Sequence, residues 1–95
     1  MKLNPASIVR TTKEAVSCQL DGEVAILNTV SGEYYGLSEA GASAWTAIAE
    51  PRSLAGIVQA ITSEYEVDEQ RCEADLISLM SQLILHGLVE VVDRS

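Results

Sequence analysis

The spacing of the apolar residues changes once along this chain, near Ser38. Residues 16–37 form short apolar segments broken by Asp21-Gly22 and Ser31-Gly32. From Ser38 to His86 the apolar residues recur at helical spacing. A chain with this change of period folds as a β-meander followed by helices. Residues 16–20 are the first strand. Asp21-Gly22 favours a tight hairpin, because both positions tolerate positive φ. Residues 23–29 return, with Val24, Ile26 and Leu27 as the apolar content. Ser31-Gly32 turns the chain again, and residues 33–37 make a third strand. A three-stranded sheet this short cannot stand free, so one face must lie on the helices.

The helix signals are local. Ser38 is expected to cap the first helix, with Glu39 at the positive end of its dipole. Ala40, Ala44, Trp45 and Ile48 share a face, and Pro51 ends the helix. Ser53 caps the second, where Leu54, Ile57, Val58, Ile61 and Tyr65 fit the amphipathic template. Asp68 caps the third, residues 69–86, and Val67 with Cys72 takes the positions of a hydrophobic staple. Cys72, Leu76, Leu79, Met80, Leu83 and Ile84 form a broad apolar stripe. Gly87 ends this helix, with His86 at the negative end of its dipole. Residues 88–92 are a last short strand. The expected organisation is a flexible lead-in at 1–15, one domain at 16–92 and a tail at 93–95.

Composition removes several functions. The chain has 95 residues and a net charge of −8. Residues 1–38 carry three basic against four acidic side chains, and residues 39–95 carry three against ten. Such a surface repels phosphates, which argues against nucleic acid, and attracts basic partners. The third helix, which a DNA-binding winged helix would make basic, opens with Glu69, Glu73 and Asp75 and offers only Arg71. No apolar run is long enough for a membrane span, and no signal peptide opens the chain, so a cytoplasmic location without membrane contact is expected. Cys18 and Cys72 make no disulfide framework or metal spacing and are expected to be reduced, largely buried thiols. His86 has no partner for a triad or a metal site. Glu64, Glu66, Asp68 and Glu69 lack the ligand pattern of a calcium loop. The expectation is a protein that is not an enzyme and needs no cofactor or metal.

A sheet edge remains. In a simple meander both outer strands expose unpaired backbone groups, which a partner peptide can use. Tyr34 and Tyr35 lie on the third strand and point to opposite faces. One packs inward with Leu37 and the other stands at the surface. From the residues alone, docking and plain packing both stay open.

The series "LDGEVAILNTVSGEYYGLSEAGASAW" and "LAGIVQAITSEYEVDEQRCEADLISLMSQLILHGLVEV" resembles the PqqD-like family, the recognition elements of ribosomally made, post-translationally modified peptides. The shared features are Asp21, Gly22 and Glu23, then Gly32, Tyr34, Tyr35 and Leu37, then Gly41 and Trp45. Tyr65, Asp68, Glu69, Asp75, Leu79, Leu83, Gly87 and Leu88 follow, so the likeness spans residues 16–91. It implies an α+β, winged-helix-like fold, with a three-stranded antiparallel meander followed by three helices and no DNA binding. It also implies that a precursor's leader peptide adds as a strand beside the third strand, along the third helix. The peptide-binding residues it implies are Val30, Glu33, Tyr34, Tyr35, Gly36 and Leu37, with Arg71, Ala74, Asp75, Ser78, Leu79 and Gln82 on the helix. Leu76 and Leu83 are assigned to the core, while Asp75 either reads the leader or caps a local hydrogen bond. The implied partner is a modifying enzyme, foremost the leader protease of a lasso-peptide pathway. The alternatives are a chaperone for a radical SAM enzyme and a structural subunit of a larger enzyme.

Overall fold

The structure, a computed structural model, describes residues 3–92. In chain order the elements are β1 (Ile8–Thr11), β2 (Ala15–Leu20), β3 (Glu23–Asn28), β4 (Tyr34–Ser38), α1 (Ala40–Ala47), β5 (Arg52–Ser53), α2 (Leu54–Glu64), α3 (Glu69–Leu85) and β6 (Val89–Val91). The fold is α+β, with the expected meander β2-β3-β4 and the expected three helices. Asp21 and Gly22 have φ of 47° and 81°, the pair of positive values a two-residue hairpin needs. That turn fixes the register, pairing Val16 with Leu27 and Cys18 with Ala25.

A second sheet departs from the sequence reading. Residues 1–15 show no regular pattern, yet β1 is the centre of a small sheet ordered β5-β1-β6. Val9 pairs with Arg52 on one side and Val91 on the other, and is fully buried. The lead-in therefore contributes to the core through pairing with distant segments. The 93–95 tail lies outside the described residues.

Two of the three expected caps are present. The Ser53 side chain accepts from Gly56 N–H at 3.1 Å, and the Asp68 carboxylate from Arg71 N–H at 3.0 Å. Removing such a cap costs about 1 kcal/mol. Ser53→Ala should therefore lower the urea midpoint by a corresponding amount without changing the slope. An unchanged midpoint would show that this bond adds nothing to stability. Ser38 is not a cap. It ends β4, and Glu39 takes the N-cap position with φ 52°, ψ −125° and no side-chain hydrogen bond. The chain passes from strand to helix through one residue in a sparsely populated conformation, which leaves no room for a conventional cap.

The helix stripes meet in one core. Ala44, Trp45 and Ile48 from α1 and its end, Leu54, Ile57, Val58 and Ile61 from α2, and Leu76, Met80 and Leu83 from α3 are buried. Val24 and Ile26 cover this core from β3. The Trp45 indole N–H donates to Ser17 Oγ at 3.0 Å, and Gln19 Nε2 donates to Thr46 Oγ1 at 2.9 Å, so β2 is fastened to α1 by polar contacts. Cys18 is exposed, contrary to expectation, whereas Cys72 is buried. Alternation from the buried Val24 and Ile26 turns Cys18, opposite Ala25, to the outer face.

Candidate functional site

β4 pairs with β3 on one side only, so its other side is a sheet edge. Asn28 N–H donates to Glu33 C=O at 2.9 Å. In an antiparallel ladder the direction of the backbone groups alternates from such a bond. Those of Tyr35 and Leu37 therefore face β3, and those of Tyr34, Gly36 and Ser38 face the open edge. At Gly36 a Cβ would meet nothing within 4 Å, so a second backbone can approach there.

The two tyrosines divide as alternation requires. Tyr35, opposite the buried Ile26, is half-buried against the core cluster. Tyr34 stands on the outer face at 74% exposure. The Tyr35 ring lies 4.9 Å from the His86 ring at the end of α3, and its hydroxyl donates to Glu33 Oε1 at 3.2 Å. Burial, together with the Glu33 carboxylate that accepts this proton, holds the phenol above its ordinary pKa, so it stays a donor.

Opposite β4, residues 71, 75, 78 and 82 follow one side of α3, with Leu79 half-buried beside them. Gly41 separates strand from helix. A Cβ placed on it would lie 3.7 Å from Leu37 Cβ and 3.8 Å from Leu79 Cδ2. At this narrow place α1 comes between β4 and α3 with no side chain. Next to it opens a mostly apolar cleft of about 170 Å³, lined by Ala40, Gly41, Ala44, Ile61, Val67, Cys72, Leu76 and Leu79, with Arg71 and Asp75 at its rim. Arg71 Nε and Asp75 Oδ2 are 4.0 Å apart and both well exposed, a weak pair that leaves each free to meet a ligand. Asp75 caps no backbone group among the described residues. Cys72 is held protonated by burial, and by the charges of Asp75 and Glu69, so its thiol is a wall rather than a nucleophile.

Of the residues named from sequence, Arg71, Asp75 and Leu79 line the cleft, and Leu37, like Leu79, lies beside Gly41. Tyr35 does not line the cleft and lies beside His86 at the end of α3. Tyr34 and Gly36 offer backbone at the edge. Val30, Glu33, Ala74, Ser78 and Gln82 do not line the cleft; Val30 is 79% exposed in the β3–β4 turn. Leu76 and Leu83 are core, as assigned. Sequence reasoning missed Ala40, Gly41 and Ala44. Their small size was the available signal, since a helix start this short of side chain leaves space beside a neighbour.

Among the described residues no group of His, Cys, Asp and Glu is placed to hold a metal ion. No helix among them is long and apolar enough to cross a membrane.

Comparison with known proteins bears on the family and the fold. The family model described as coenzyme PQQ synthesis protein D (PqqD) matches residues 23–89. Comparison with curated proteins gives no significant match. Two solved structures are similar. TbiB1 in complex with the TbiA(beta) leader peptide is 32% identical with a TM-score of 0.81, over 90% of this chain and 99% of that one. Lasso peptide synthetase B1 complexed with the leader peptide is 30% identical with a TM-score of 0.76, over 86% and 96%. With a family match across most of its length and two solved structures of the same fold, the chain belongs to the PqqD family, as a PqqD-like recognition element rather than an enzyme.

Proposed function

We propose that this protein binds the leader segment of a ribosomally made precursor peptide and delivers it to a partner modifying enzyme, the leader protease of a lasso-peptide pathway. The observation that carries this reading is the open edge of β4 beside an apolar cleft walled by α1 and α3. The leader adds as an antiparallel strand. Backbone groups of Tyr34, Gly36 and Ser38 supply affinity that is independent of leader sequence. Side chains entering between β4 and α3 fix the register, with Arg71 and Asp75 reading polar groups at the rim. Tyr35 and Leu37 form the strand-side wall, and Ala74, Ser78 and Gln82 the exposed helix margin along which the leader runs. Val30 and Glu33 flank its end.

Delivery needs no chemistry from this chain. Holding the leader on a protein that also meets the enzyme raises the local concentration of the core peptide. The net charge of −8 disfavours nucleic acid as the ligand. Leader binding is supported by the two leader-peptide complexes, and the lasso assignment by that of lasso peptide synthetase B1; the description of the family model supports the second reading, a peptide chaperone in coenzyme PQQ synthesis. A cytoplasmic location is consistent with both.

The test is a fluorescence-polarisation titration with the labelled leader of the precursor encoded beside the gene, with a DNA duplex as control. Saturable leader binding at micromolar or tighter affinity is expected, with none to DNA. Tyr35→Ala should weaken it by about tenfold or more without a collapse in melting temperature. A proline within the docking stretch of the leader should weaken it comparably, by removing a backbone donor. Undiminished binding of the proline leader would sink strand addition.

A further inference from the structure

We propose that Asn28 is a positioning residue for the groove, clasping the β3–β4 turn to the end of α3; this rests on the leader-binding reading above. Asn28 is the one buried polar residue among the described residues. Its side chain uses both ends. Oδ1 accepts from Val30 N–H at 2.8 Å and from Ser31 N–H at 3.1 Å, which shapes the turn leading into β4. Nδ2 donates to the His86 carbonyl at 2.8 Å, one of the carbonyls that a helix end leaves without a partner. Gly87 makes room for this contact. Its φ is 76°, and a Cβ there would lie 3.3 Å from Asn28 Nδ2. Gly87 N–H to Ile84 C=O at 3.0 Å and Leu88 N–H to Leu83 C=O at 2.9 Å complete the helix end around it.

The clasp joins the two walls of the groove. The turn it shapes runs directly into β4, and the carbonyl it grips belongs to the residue whose ring meets Tyr35. No covalent connection closer than the chain from 29 to 85 joins these two points. This amide is the direct side-chain link between the β3–β4 turn and the end of α3, where Thr12 also braces the residues after the helix. Released, Tyr35 and His86 are free to separate, and the leader must meet the cost of ordering the gap on binding.

Asn28→Asp separates the two halves of the clasp. A carboxylate still accepts from Val30 and Ser31, but it has no proton for the His86 carbonyl and repels it. A neutral carboxyl donates again. Burial and the facing carbonyl favour the neutral carboxyl, and the two N–H donors favour the carboxylate. The link is present only in the neutral form and is lost as pH rises through this carboxyl's pKa. The other titratable groups near the clasp are Glu14, Glu33 and His86, so each measurement is taken as a ratio to the unmodified protein at the same pH.

The experiment measures leader affinity by titration, and the Tyr35–His86 ring contact by nuclear Overhauser effects, from pH 7 to pH 4.5. In the variant at pH 7, affinity should fall on the order of tenfold, the value of about one hydrogen bond, with the ring contact weakened. Both should recover towards the unmodified protein as the carboxyl is protonated. A role in stability alone would lower the melting temperature but give no pH-reversible change in affinity of folded protein. If Asn28→Asp does not fold at pH 7, Asn28→Ser, which retains an acceptor but is too short to reach His86, is read in its place. Affinity and ring contact equal to the unmodified protein at pH 7 would overturn the proposal. Failure of the unmodified protein to bind any leader would instead overturn the recognition reading itself.

Discussion

Gly41→Leu is expected to abolish leader binding while the protein remains folded. The two halves of this result have separate causes. A Cβ at position 41 meets Leu37 and Leu79 at 3.7–3.8 Å, which is ordinary van der Waals contact, so the backbone need not move. Glycine within a helix also gives up about 1 kcal/mol relative to alanine. Gly41→Ala should therefore melt at the same temperature or higher. Gly41 lines the cleft of about 170 Å³ between α1 and α3, so the further carbons of leucine have that space to enter. Filling it removes the space for a leader side chain. The expected loss is about a hundredfold in affinity or more, roughly 2.7 kcal/mol. Titration of both variants, beside thermal melting, decides the matter. Leader binding that survives leucine would place the peptide elsewhere on the surface.

Trp45→Ala should be the most damaging single core change. The indole is 5% exposed, lies among the helix residues of the core, and donates to Ser17 on β2. Truncating a buried tryptophan costs about 3–5 kcal/mol. A domain of this size has only about 5–15 kcal/mol in total, and each kcal/mol lost lowers its melting temperature by about 4–8 °C. A fall of at least about 12 °C is therefore expected, measured by circular dichroism. Trp45→Phe retains most of the bulk and loses the bond to Ser17, so it should cost about 1 kcal/mol. Equal effects from the two variants would show that the hydrogen bond, not the packing, holds β2 to α1.

These two residues also show what the sequence reveals. Trp45 was legible as core, because Ala44, Trp45 and Ile48 repeat at helical spacing, and the structure buries all three. The hairpin at Asp21-Gly22 and the caps at Ser53 and Asp68 were legible because each depends on neighbours within a few residues. In β2 the pattern misleads. Val16, Cys18 and Leu20 alternate with Ser17 and Gln19, which suggests that the apolar set faces inward. The two-residue turn instead locks β2 in register with β3, whose Val24 and Ile26 claim the core, so the apolar set of β2 faces out and Ser17 meets the indole. Strand β1 was illegible for another reason. Four residues carry too little periodicity, and their partners lie more than forty positions away. The edge at β4 could be read from the order of strands. The opening beside it could not, since it depends on how closely α1 approaches α3 at a residue without a side chain.

The small sheet β5-β1-β6 determines the order in which this chain can mature. The meander pairs neighbours in sequence and waits only for the helices that cover its inner face. β1 waits longer: its pairing with β6, and the 2.7 Å contact of Arg10 with Glu90, close a loop of 80 residues. The same late segment braces α3, because Thr12 N–H donates to Leu88 C=O at 3.0 Å and Thr12 Oγ1 to Gly87 C=O at 2.7 Å. The groove is therefore complete only once the last strand has emerged and paired, whereas the edge of β4 stays open even then. In the mature protein that edge is still a template for an extended segment, until a peptide occupies it.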